Sequence, residues 1–286
     1  MRGYLPDYQL TTATNLTDAL IQMEKGAKPF AGGTDIMVLL DAGSLTPGSF
    51  VSLLDIKELR GIKIQKNIFT LGALTTYSEV RDHKLLQKHF PVLCQSAQEV
   101  GAIAIQNRGT IGGNIANGSP AADFPPGLLI YEALIHLVSK RGLRTVDYTK
   151  FHSGYKKNLL ENDELIHSVS LINDFKDYHH FWRKVGSRKA QAISKTMIAG
   201  IAKLNKKRVE DLRVAFGSVA ATAVRCYHVE NFLKGKNLSP NVILEAKKIL
   251  GKDIQPIDDI RSTGKYRLAV SQNVLEEFLC GIGSDK

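Results

Sequence analysis

Two short glycine-rich stretches stand about eighty residues apart in this 286-residue chain: AGGTD at 31–35 and IGGNIANGSPAAD at 111–123. Glycine lets a backbone approach a ligand closely, because no Cβ stands in the way. Successive peptide N–H groups can then point into one concavity, which suits phosphate. One glycine pair is ordinary turn chemistry. Two, each beside an expected strand and each carrying Thr and an Asp or Asn, point to a pyrophosphate with a sugar attached. Thr34 and Thr110 can donate hydroxyls, and Asp123 can accept from a ribose or ribityl hydroxyl. No G-x-G-x-x-G follows a strand and there is no G-x-x-x-x-G-K-[ST], so a dinucleotide here calls for a fold other than a Rossmann domain or a P-loop.

The pattern around the stretches is α+β. Residues 15–26 read as a helix with a polar cap at 15–17 and a stop at Gly26. Residues 50–56 read as a strand. Residues 61–74 read as strand, turn at Lys66-Asn67, strand. Thr76 followed by Glu79 fits a capping box, and a further helix runs from Pro91 to about Val100. The stretch 101–123 reads as a loop. The apolar run 127–138 reads as a buried helix passing into a strand, turned back by residues 140–142. Residues 165–171 alternate as a strand. A boundary falls near 174–178, giving a domain over 1–175 (parts of about 1–56 and 57–175) and another over 176–286. Beyond it, residues 181–185, 196–204 and 212–219 read as three antiparallel strands. Helices follow at about 222–234, 240–250 and 270–281, so strands come first and helices after.

Composition narrows the function. The net charge is +10, but the basic residues are spread along the chain, and Lys206-Lys207-Arg208 sits in an expected turn. That is a solvated face rather than a nucleic-acid footprint, which would interleave aromatic and basic residues. Three scattered cysteines, Cys94, Cys226 and Cys280, make no disulfide framework and no zinc or iron–sulfur motif, and they suit a reducing cytoplasm. The start, MRGYLPDYQL, has no apolar leader core. The most apolar stretch is too short for a bilayer, which needs roughly 20 residues. The reading is therefore a cytoplasmic protein with neither nucleic acid nor membrane as partner. His179 and His180 face opposite ways on a strand and cannot easily share a metal ion. Trp182 reads as a core or interface aromatic.

AGGTD at 31–35, LGALTTYSEV at 71–80, RGTIGGNIANGSPAAD at 108–123, RKVGSRKAQAIS at 183–194 and IDDIRSTGKYR at 257–267 occur in that order. Together they resemble the FAD-binding subunit of molybdenum hydroxylases, the xanthine dehydrogenase and carbon monoxide dehydrogenase medium-subunit family, over essentially the whole chain. The resemblance implies a two-part N-terminal FAD-binding region of the PCMH type and a C-terminal domain of a three-stranded antiparallel sheet with helices. It implies that Pro29, Phe30, Ala31, Gly32, Gly33, Thr34, Asp35 and Ile36, with Thr110, Ile111, Gly112, Gly113 and Asn114, wrap the FAD pyrophosphate. It assigns Asp123 to the sugar chain, Ile166 to the flavin or adenine pocket and Lys184 to the neighbourhood of the isoalloxazine, with Arg188 near the flavin and nicotinamide. A cation there would raise the flavin potential. Where relatives often carry Asp in a DIA-like run, this chain has Ala192, and Gln191 is the candidate replacement for that polar group.

The implied function is electron transfer. A molybdopterin subunit hydroxylates the substrate, with xanthine or another purine as first expectation. A [2Fe–2S] subunit carries the electrons, and FAD in this chain passes them to NAD⁺ or another acceptor. No residue of this chain is expected to be catalytic and no metal is expected in it. The alternative is a self-sufficient flavin-dependent oxidoreductase of the same fold, which would need a positioned base beside the flavin.

Overall fold

The computed structural model of the chain describes residues 7–189 and 191–284. Residues 1–6, part of the segment read for a leader, and Ala190, inside the 183–194 motif, lie outside them. Strand β1 (Gln9–Thr12) leads to α1 (Leu16–Glu24), β2 (Lys28–Phe30), α2 (Ile36–Asp41) and β3 (Ser49–Ser52). Asn15 caps α1 by accepting the Asp18 N–H, and Gly26 leaves the helix at φ +94°, the left-handed stop that glycine makes without cost. The three strands form a parallel sheet in the order β1-β3-β2. Ala19, Leu20 and Met23, on one face of α1, pack with Val51 and Leu53, while Phe30, Leu40 and Phe50 cluster with Ile36 and Met37 of α2. The strand expected over 50–56 ends at Ser52, because the chain turns at Leu53, whose carbonyl accepts the Ile56 N–H.

Next come β4 (Ile62–Gln65), β5 (Ile68–Gly72), α3 (Tyr77–Asp82), α4 (Lys84–His89), α5 (Pro91–Glu99), α6 (Ile103–Gln106), α7 (Ile111–Asn117), α8 (Pro125–Ile130), β6 (Leu134–Ser139), β7 (Gly142–Asp147), α9 (Tyr148–Phe151), β8 (His152–Gly154), β9 (Lys157–Asn158) and β10 (Leu165–Ile172). The large sheet is antiparallel, in the order β4-β5-β10-β6-β7. The Thr76–Glu79 capping box forms as its spacing requires. The stretch 101–123 is not the loop expected: it contains α6 and α7. Glycine is a poor helix former, so local preference argued against α7. Tertiary bonds decide it. The N–H groups of Ile111 and Gly112 donate to the carbonyls of Thr75 and Ala73, and Thr110 caps the helix through the Gly113 N–H.

The last third builds a sheet of β11 (His179–Val185), β12 (Thr196–Asn205), β13 (Arg208–Gly217) and β14 (Val224–Arg225), with α10 (Tyr227–Leu233), α11 (Pro240–Ile249) and α12 (Gly264–Ser284) on one face. A short fourth strand thus joins the three expected ones. It occupies the start of the helix expected over 222–234, since Val224 pairs with Phe216. The last helix begins at Gly264 rather than 270, with Thr263 Oγ1 accepting the Tyr266 N–H. The alternation of β12 explains how the two halves join. Ile198 and Ala202 face the helices, and Gly200 lies so close under Phe278 that a Cβ would sit 2.6 Å from the ring. Ala199 and Ile201 point the other way, into the core beneath the large sheet.

Candidate functional site

The fold brings the two glycine segments into contact. A Cβ on Gly32 would lie 1.9 Å from the carbonyl oxygen of Arg108, so backbone meets backbone two residues before Thr110. Beside this contact lies a cleft of about 530 Å³, within the range of small-molecule and cofactor sites. Pro29, Ala31, Gly32, Gly33, Thr34, Asp35 and Ile36 line it from the first segment. Thr110, Gly112, Gly113 and Asn114 line it from α7, and Ile166 from the start of β10.

The two segments offer different chemistry. Among the described residues, the backbone N–H groups of Gly32, Gly33, Thr34 and Asp35 donate to no protein acceptor, and Asp35 stands at the start of α2 without a side-chain cap bond. That is a set of free donors for an anion. In α7 the N–H groups of Ile111, Gly112, Gly113 and Asn114 are all engaged, at 2.9–3.2 Å. The second segment therefore contributes a bare glycine wall and an amide rather than a second nest. A Cβ on Gly113 would meet no more than Thr110 Oγ1, at 2.9 Å. The hydroxyl of Thr110 is occupied in capping.

Five of the expected residues, Arg188 among them, do not line the cleft. Phe30 is buried, with its ring edge-on to Phe50 at 6.1 Å and a Gly33 Cβ position 2.7 Å from it, so it supports the first segment from below. Ile111 is fully buried in the main core. Asp123 and Lys184 pair at the junction of the two halves. Lys184 Nζ donates to Asp123 Oδ2 and to the Glu99 carbonyl, both at 2.8 Å, and Ser194 Oγ donates to Asp123 Oδ1 at 2.5 Å. Burial pushes the Asp123 carboxyl upward, while Lys184 and Ser194 pull it back. Lys184 thus stands one layer behind the cleft wall: Val100, next to the Glu99 that it holds, lines the cleft. Gln191 is exposed, and its backbone carbonyl accepts from Arg188 Nη2 at 2.7 Å.

Sequence reading missed Tyr77, Val100, Leu160 and Glu164, which also line the cleft. The capping box of α3 was visible, and Tyr77 is its first residue, but nothing local says which side it faces. Glu164 is taken up by Arg144 at 2.6 and 2.7 Å and by the Glu161 N–H at 2.9 Å. The Arg144 hydrogen bonds hold its carboxyl below the usual range. Two buried polar atoms of the cleft residues, Tyr77 OH and Asn114 Oδ1, have no protein partner. Buried polar atoms rarely stay unsatisfied. These two atoms are sealed from the cleft surface, so the fit rests on the free N–H set and the glycine wall, which suit a large ligand carrying an anionic group, as FAD does.

Comparison with known proteins agrees. Residues 6–171 match the family described as "FAD binding domain in molybdopterin dehydrogenase", and residues 182–281 match "CO dehydrogenase flavoprotein C-terminal domain". The chain is 31% identical over 273 residues to the xanthine dehydrogenase FAD-binding subunit of Escherichia coli O157:H7, covering 93% of each. It is 28% identical over 269 residues to the glyceraldehyde dehydrogenase medium chain of Sulfolobus acidocaldarius, covering 93% of this chain and 95% of that one. The fold matches carbon monoxide dehydrogenase from Hydrogenophaga pseudoflava with a TM-score of 0.92 at 24% identity, covering 96% of both chains. The chain belongs to the FAD-binding subunits of the molybdenum hydroxylases, oxidoreductase components whose cofactor is FAD.

Proposed function

We propose that the chain is the electron-transfer subunit of a xanthine dehydrogenase-like complex, working with a [2Fe–2S] subunit and a molybdopterin subunit in a reducing cytoplasm. The observation that carries the site is the row of free N–H groups from Gly32 to Asp35 facing a glycine wall. In this reading those N–H groups hold the FAD pyrophosphate, and Gly112 and Gly113 allow its close approach. Asn114 stands in that wall, and Tyr77, buried at 2% exposure, backs it. Ile166, Val100 and Leu160 exclude water. Phe30 and Ile111 fix the two segments from beneath, and Asp123 and Lys184 brace the second from behind. When bound, FAD supplies redox chemistry between an iron–sulfur donor and a soluble acceptor, which we take to be NAD⁺.

The polar side chains support transfer rather than substrate chemistry in this chain. Glu164, one of the carboxylates lining the cleft, is saturated by Arg144 and the Glu161 N–H and is not poised to take a proton. Cys94 and Cys226 are buried apart from each other and Cys280 is exposed. Among the described residues no group of His, Cys, Asp or Glu could hold a metal, so the clusters are assigned to a partner. A purine is the substrate that the similarity to the Escherichia coli subunit favours. We divide the chain at about residue 175, with a first part to about 56.

The test is purification of the tagged chain from its own cells. Two further chains should come with it, one bearing iron–sulfur clusters and one molybdopterin, and the complex should oxidise a purine. The chain alone should be reduced by an artificial donor and turn over no purine. Turnover by the chain alone would overturn the reading in favour of a self-sufficient oxidoreductase.

A further inference from the structure

The segment 119–123, which follows α7, is gripped by the C-terminal half at both ends. The Ser218 N–H donates to the Pro120 carbonyl at 2.9 Å, and Asp123 takes Lys184 on one oxygen and Ser194 on the other. Asp123 is itself buried, at 8% exposure, so little water reaches its carboxylate to replace a lost donor. Lys184 is already shared with the Glu99 carbonyl, and one shared cation fixes one carboxylate oxygen. A buried carboxylate oxygen left without a donor is costly. Orientation of Asp123 therefore depends on the second donor.

We infer that Ser194 is a positioning residue for the FAD cleft. Its hydroxyl locks the Asp123 carboxylate against Lys184 and, through segment 119–123, sets where α7 presents its glycine wall. The inference rests on the cleft reading above, since α7 matters only if the cleft holds FAD.

The charged and titratable groups around Asp123 are Lys184 on β11, Glu99 at the end of α5 and the Tyr77 hydroxyl on α3. A hydroxyl donates more strongly to an ionised carboxylate than to a neutral one. Ser194→Ala therefore leaves Asp123 with a higher folded-state pKa than in the parent, while the unfolded chain is unchanged. The stabilisation due to Ser194 is fully present above both folded pKa values and is lost as pH falls through them.

The experiment measures thermal unfolding of the full chain from neutral pH downward, for the parent, Ser194→Ala and Ser194→Thr. The alanine variant should melt several degrees lower at neutral pH and the gap should close on acidification, whereas threonine, which keeps the hydroxyl but adds a buried methyl, should differ from the parent by an amount that does not change with pH. A gap of the same size at every pH would mean that Ser194 merely packs, and would overturn the inference. Should Ser194→Ala fail to fold, Ser194→Cys, a weaker donor, takes its place. As a control, the Ser194 difference should become small and independent of pH in an Asp123→Asn background; a pH-dependent gap there would implicate another group and overturn it too. FAD titration of the same proteins separates the two levels. Several-fold weaker binding by the alanine variant is expected. Equal binding by parent and variant overturns the inference alone, whereas a parent that takes up no FAD overturns the cleft reading and the inference with it.

Discussion

Two glycines that look alike in sequence do different work. Gly32 touches the Arg108 backbone, so Gly32→Ala must push the two segments apart. Overpacking of this kind costs about 1–3 kcal/mol, and denaturant unfolding should show it. Gly113 is exposed, and the one atom its Cβ would crowd is Thr110 Oγ1, at 2.9 Å, which must turn aside at the expense of the α7 cap. Gly113→Val should therefore fold with a loss of about 1 kcal/mol, the scale of a lost cap, and lose FAD, as thermal unfolding and visible absorbance would report; a folded variant that keeps its flavin removes α7 from the site. Lys184→Met leaves Asp123 buried without its cation, and losses of this kind run to about 3–5 kcal/mol. The identity of the key glycines was legible from their pairing. That Gly32 serves contact with a partner 76 residues away was not, because nothing local encodes it. The family resemblance named Asp123 and Lys184 separately, for the sugar chain and for the isoalloxazine, and their mutual contact, a property of two chain segments folded together, was not legible.

At the scale of elements, strong local signals held and weak ones yielded to tertiary bonds. The caps of α1 and α3 follow from Asn15, Thr76 and Glu79. Thr76→Ala should cost about 1 kcal/mol and weaken FAD binding, since α3 begins at Tyr77 in the cleft; thermal unfolding and flavin titration check both. The glycine-rich α7 was illegible because its propensity is poor, and it forms where the 73–75 backbone accepts its first N–H groups. Gly112 is required there, a Cβ falling 2.6 Å from that of Ala73. The short β14 was hidden for the same reason, since its pairing lies on β13, whereas the start of α12 carries a local signal, Thr263 capping through the Tyr266 N–H, that the reading passed over.

For the molecule as a whole, the order of strands and helices was legible and the joint between halves was not. β12 sends Ile198 and Ala202 to its own helices and Ala199 and Ile201 into the N-terminal core, a period-two split that serves two cores at once. The chain should consequently unfold in one cooperative transition, and a fragment ending at residue 175 should expose apolar surface and bind a hydrophobic dye. A fragment that folds natively by near-ultraviolet circular dichroism would show that the shared core is dispensable. The same joint carries the Asp123, Lys184 and Ser194 contacts, so the half that does not line the cleft touches the segment that follows its α7 wall. The central claim, that two glycine segments brought together by this fold hold FAD, is tested most directly by the visible spectrum of the purified full chain after incubation with FAD, with the bound chromophore released and identified. The account predicts flavin bands and one FAD per chain. A chain that stays colourless and takes up no added FAD would contradict it.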